Sequence, residues 1–159
     1  MVQGIEFYDI SNPGNLNHLT NFNLSGGGGG GGGGTKANCV RAQGDYAYFT
    51  TYNGSGLYVV NISNPSNPQS LGSVSNSDNF LLENLDLNGN TLAVCAHTDG
   101  VLLYDISSPS DPVHTASISA NNAWTVVISD NFAYVADEDK ILVVEISNLN
   151  SPVQVGEIQ

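Results

Sequence analysis

A segment of about 42 residues recurs along this chain, and no other feature limits the fold as tightly. GIEFYDISNPGNL from Gly4, GLYVVNISNPSNP from Gly56, GVLLYDISSPSDP from Gly100 and KILVVEISNLNSP from Lys140 are versions of one stretch. The last three begin 44 and then 40 residues apart. The first interval is 52 residues, or 43 once the nine consecutive glycines Gly26 to Gly34 are set aside. The glycine run thus reads as an insertion in one loop of a continuous array, residues 25–36, and not as a boundary between domains. A flexible loop of that length costs little extra closure entropy, so the array tolerates it without needing a role for it.

Three further elements recur between these anchors. A segment like GDYAYF precedes each of the last three, at Gly44 to Phe49, Gly89 to Val94 and Asp130 to Val135. Ahead of it stands a short apolar run, NCVRA, NLDLN or TVVIS, and after each anchor comes a run such as HLTNF, PQSLGSV, HTASI or VQVGEI. One unit is therefore four short β-rich runs, which we label a to d, separated by Gly, Asn, Asp and Pro. Helical periodicity is absent. In the third run, as in LYVVNIS and ILVVEIS, nearly every residue is apolar, whereas a half-exposed strand alternates. A strand without alternation is covered on both faces; stacked four-stranded blades give that environment, whereas a two-sheet sandwich would show outward polar residues in most strands. The expectation is an all-β propeller of four-stranded antiparallel blades, about three and a half in one domain spanning 1–159. The units are 1–24 (strands c and d alone), 37–75, 83–119 and 124–159. The first unit starts in mid-blade, so a longer chain or another copy is expected to complete the ring, the longer chain being favoured.

The recurring elements resemble the LVIVD repeat. The similarity lies in the aromatic-Ala-aromatic run, in Gly-Leu-x-Val-Val-Asp-Ile-Ser-Asn-Pro, and in the closing Pro-x-x-x-Gly-x-Ile, and it covers essentially the whole chain. The resemblance implies propeller blades of bacterial or archaeal surface or secreted proteins, and it brings no catalytic residues to transfer. Two units depart from the pattern: GNTLAV replaces the aromatic run in the third unit, and NLNSP replaces NPSNP in the last.

Fifteen acids face three bases, Lys36, Arg41 and Lys140, for a net charge of -12. Such a surface repels phosphate backbones and anionic lipid, which disfavours nucleic-acid and direct membrane roles. It suits salt, divalent cations or cationic partners. No run of about 18 apolar residues is present to span a bilayer as a helix. The cysteines, Cys39 and Cys95, match no metal motif; two packed free thiols are favoured over a disulfide.

Binding by propellers uses the end where the d–a and b–c loops emerge, called the loop face below. Here it is expected to carry Tyr52, Asp78, Glu83, His97, Asp99, Trp124, Asp137, Glu138 and Asp139. The ADEDK turn offers several carboxylates at short range, so Asp137 and Asp139 are candidate calcium ligands, although the spacing is not that of a D-x-D-x-D-G loop and a solvated hairpin is the plainer reading. Trp124 and Tyr52 are candidates to stack on a sugar or a side chain, or else to anchor their loops. Asp9, Asn61, Asp105 and Glu145 recur once per unit, which points to a side chain capping the next turn and away from a ligand role. His97 stands near Asp99, but no nucleophile accompanies it. The sequence therefore reads as a non-catalytic extracellular or cell-surface binding or scaffolding module, with no required cofactor and with a protein, a glycan or copies of itself as partner. A self-assembling structural subunit is the alternative, and a glycan hydrolase the third reading.

Overall fold

The computed structural model describes residues 5–24, 37–51, 56–74 and 82–159. Tyr52, Asp78 and the glycine insertion lie outside the described residues. Fourteen strands run in chain order: β1 (Ile5–Asp9), β2 (Asn17–Phe22), β3 (Ala37–Gln43), β4 (Tyr46–Thr51), β5 (Leu57–Asn61), β6 (Gln69–Val74), β7 (Leu85–Asn88), β8 (Thr91–Cys95), β9 (Val101–Asp105), β10 (Val113–Ile118), β11 (Ala123–Ser129), β12 (Phe132–Asp137), β13 (Lys140–Glu145) and β14 (Val153–Ile158). They form one two-stranded sheet, β1–β2, and three four-stranded antiparallel meanders, β3–β6, β7–β10 and β11–β14. The expected order, c–d followed by three complete a–b–c–d blades, is the observed one. The inner strands β3, β7 and β11 lie side by side, and the blades fan outward from them without closing into a ring.

Three apolar layers separate the sheets. Ala47, Phe49, Tyr58 and Val60 pack toward β1–β2 with Leu24. From the opposite side of the same strands, Tyr48, Leu57 and Val59 meet Leu92, Val94, Leu102, Tyr104 and Ile106 of the next blade. Ala93, Cys95, Val101 and Leu103 of that blade then meet Ala133, Val135, Leu142, Val144 and Ile146. Both faces of β5 and of β9 are thus buried, which is why these strands read as continuous apolar runs. Both cysteines are free. Cys95 is fully enclosed in the last layer, and burial, aided by Cys39 and Glu83, pushes its thiol up to about 12.

The recurring polar residue of strand c caps the turn that follows it. Asp9, Asn61 and Asp105 each accept the backbone N–H two residues on, from Ser11 at 2.9 Å, Ser63 at 2.9 Å and Ser107 at 2.7 Å. These bonds hold the Asp9 and Asp105 carboxyls below their ordinary range. Glu145 takes the Ser147 hydroxyl instead, at 3.0 Å.

Candidate functional site

The top of each inner strand carries a bulge, and the bulges set the character of the loop face. In β3 the register slips between Ala37 and Cys39, opposite Thr51 and Thr50, so Asn38 has no partner. In β11 it slips between Ala123 and Thr125, which leaves Trp124 unpaired in the same way. Ahead of β7, the Glu83 N–H donates to the Cys95 carbonyl while the Cys95 N–H donates to the Asn84 carbonyl, so two residues again oppose one. A bulge re-aims the extra side chain at a strand end. Asn38, Glu83 and Trp124 are therefore structural equivalents, one per blade.

A chain of hydrogen bonds starts at the first two of them, crosses all three blades and passes beside the third. The Asn38 amide donates to Glu83 Oε2 at 2.7 Å. Glu83 Oε1 lies 2.9 Å from His97 Nε2, and His97 Nδ1 lies 3.1 Å from Asn122 Oδ1. The Asn122 N–H donates to Asp137 Oδ1 at 2.7 Å. Backbone bonds reinforce the chain: the Ala123 N–H reaches the His97 carbonyl at 2.9 Å, and the Thr50 hydroxyl reaches the Glu83 carbonyl at 2.6 Å. The Trp124 ring stands edge-on to the His97 ring, centroids 4.8 Å apart, and remains 52% exposed. His97 and Glu138 both hold a left-handed backbone, φ +52°, at matching places in their b–c turns. Three residues further along the chain than Glu83, Asp86 ties the inner strands again, accepting Arg41 Nε at 3.2 Å and the Ile128 N–H at 2.8 Å.

Of the expected loop-face residues, the structure gathers Glu83, His97 and Trp124 into one cluster. Asp99 sits exposed two residues beyond His97, and Glu138 approaches Asn122 through its backbone N–H at 3.4 Å. The two candidate calcium ligands are placed differently. Asp139 is exposed, whereas Asp137 is 2% exposed and holds the Asn122 backbone. Among the described residues no group of three or more His, Cys, Asp or Glu side chains is disposed to hold a metal ion. The sequence reading passed over Asn38, Asn122 and Asp86. Only Asp86, a charge within an inner apolar run, carried a visible cue.

Two segments, residues 34–76 and 120–159, match the family model of the LVIVD repeat and together make up more than half of the chain. The chain belongs to the LVIVD repeat family. The unit between the two matches is the one in which Thr91, Leu92 and Ala93 replace the aromatic-Ala-aromatic run. No curated protein matches. Among solved structures, the crystal structure of the computationally designed Ika8 protein is similar, with a TM-score of 0.65 over 91% of this LVIVD chain at 13% identity. The chain spans 41% of the length of that protein, and the likeness is one of fold.

Proposed function

We propose that this LVIVD chain is a non-catalytic binding or scaffolding module, extracellular or at the cell surface, that engages a protein or a glycan through its loop face. The observation that carries the reading is the hydrogen-bonded run from Asn38 through Glu83, His97 and Asn122 to Asp137, with Trp124 left exposed beside it. Side chains fixed before a partner arrives lose little rotamer freedom on binding, so such a cluster favours recognition. The extracellular setting rests on the kinship with surface and secreted LVIVD proteins suggested by the sequence. The test is a panel of oligosaccharides and charged peptides presented to the wild type and to a Trp124→Ala/Glu83→Gln variant. At least one ligand held by the wild type and lost by the variant is expected. Ligands held equally by both, or turnover of any glycan, contradict the reading.

Assembly is a second reading, favoured by a different observation. The side of β11–β14 turned away from the other blades exposes Val127, Tyr134 and Ile141. At matching register positions in β4 and β5, Tyr48 and Leu57 are buried against the next blade. A second copy covering this side would produce concentration-dependent sedimentation that Tyr134→Glu abolishes.

A further inference from the structure

We infer that the Trp124–His97–Glu83 cluster is a seat for an arginine side chain presented by a basic segment of a partner protein. This rests on the loop-face reading above and names the chemistry it serves. Trp124 offers an open indole whose position is fixed by edge-on contact with His97 at 4.8 Å. His97 is held in turn by Glu83 Oε1 at 2.9 Å and by Asn122 Oδ1 at 3.1 Å, so the aromatic pair is set before any ligand arrives. Indole is the ring that attracts a cation best, and guanidinium stacks on it with less loss of hydration than an ammonium group. Asp99 stands two residues beyond His97 in the same turn, and Glu138 holds the place matching His97 in the neighbouring b–c turn, so two further exposed carboxylate residues belong to this loop face. Among the described residues each Glu83 oxygen accepts one hydrogen bond, and a carboxylate oxygen has capacity for a second. The charge balance selects the partner: a chain of net charge -12 draws basic segments from a distance and repels acidic ones.

Trp124 is the single tryptophan of the chain, so its emission reports this site alone. The experiment titrates the whole chain with an N-acetylated, C-amidated tetra-arginine peptide and follows that emission. Tetra-lysine, a neutral tetrapeptide and a neutral oligosaccharide serve as comparisons. A saturable change is expected with tetra-arginine, weaker with tetra-lysine and absent with the neutral peptide. Calorimetry then compares variants. Trp124→Ala and Asp99→Asn, both at exposed positions, are each expected to weaken tetra-arginine binding roughly two- to fivefold. Asp130→Asn removes the same charge at the opposite end of the blade and is expected to leave the affinity within about twofold, since exposed charges beyond a Debye length are screened. Equal weakening by Asp130→Asn, or none with Trp124→Ala, overturns the seat and leaves only diffuse charge attraction. A response to the oligosaccharide in place of tetra-arginine overturns the seat but keeps the loop face as a binding surface. No response to any probe, together with an empty ligand panel, overturns both.

Discussion

Two exposed surfaces among the described residues of this chain are built in opposite ways. The outer side of β11–β14 is a flat apolar sheet: Val127, Tyr134 and Ile141 stand exposed there, and none of them makes a hydrogen bond through its side chain among the described residues. The loop face is polar and cross-linked, with Glu83, His97 and Asn122 locked together beneath an exposed Trp124. The first surface has the composition of a blade interface. Its register-equivalent in β3–β6 carries Tyr48, 1% exposed, whose hydroxyl donates to the Pro109 carbonyl of the next blade at 3.1 Å. The second has no equivalent among the layers of the core. The contrast separates a surface that is apolar because blades pack there from one whose side chains are positioned although, among the described residues, no blade packs on them. Stability should therefore depend on the covered copies of the first kind, and recognition on the second.

Truncation across the matched tyrosines probes this division most strongly. Tyr48→Ala is expected to cost about 3–5 kcal/mol through the cavity and the lost packing. Tyr134→Ala, at 38% exposure, should stay within about 1 kcal/mol in dilute solution. Paired urea unfolding measures both, and equal losses would break the comparison.

A smaller effect appears at high pH, from the thiol enclosed between the last two blades. The folded Cys95 thiol, pushed up to about 12, lies above its ordinary value of 9.0, so the folded state keeps a proton that the unfolded state releases. The stabilising contribution is complete below pH 9 and falls away above it. The slope approaches about 1.4 kcal/mol per pH unit until the folded thiol itself titrates. Between pH 9 and 10 the unfolding free energy should decline more steeply in the wild type than in Cys95→Ala, where the tyrosines raised by burial, Tyr48 and Tyr104, still contribute their share. Identical slopes would show that the layer admits water.

The smallest change concerns the a–b hairpins at the far end of the blades. Gly44 and Gly89 hold φ of +57° there, and the last blade places Asp130 in the same conformation at +51°. Glycine enters that region without the strain of a Cβ, so Asp130→Gly should stabilise by about 0.5 kcal/mol in thermal unfolding. A loss of stability would mean that Asp130 makes a compensating contact.

The sequence made the strand order legible because burial on both faces leaves a mark that survives without neighbours: LYVVNIS and VLLYDIS do not alternate. The caps at Asp9, Asn61 and Asp105 were legible for a similar reason, since each bonds only two residues along its own chain. The bulges were not. Asn38, Glu83 and Trp124 share no chemistry, and their equivalence exists only in the register between strands. Asp137 was hidden in another way. It heads a run of three acids and reads as turn, yet it continues the inward alternation of Ala133 and Val135 in β12 and ends beneath the Asn122 N–H. Neighbouring like residues concealed a change of environment that only the pleat reveals.

The most direct test of the account is a two-dimensional amide NMR titration of the whole chain with the tetra-arginine peptide. Shift changes confined to Glu83, His97 to Asp99, Asn122 to Trp124 and Glu138 are the predicted result. Changes centred on Val143 and Ile158, on the apolar side of the last blade, or spread evenly over the acidic surface, would contradict it.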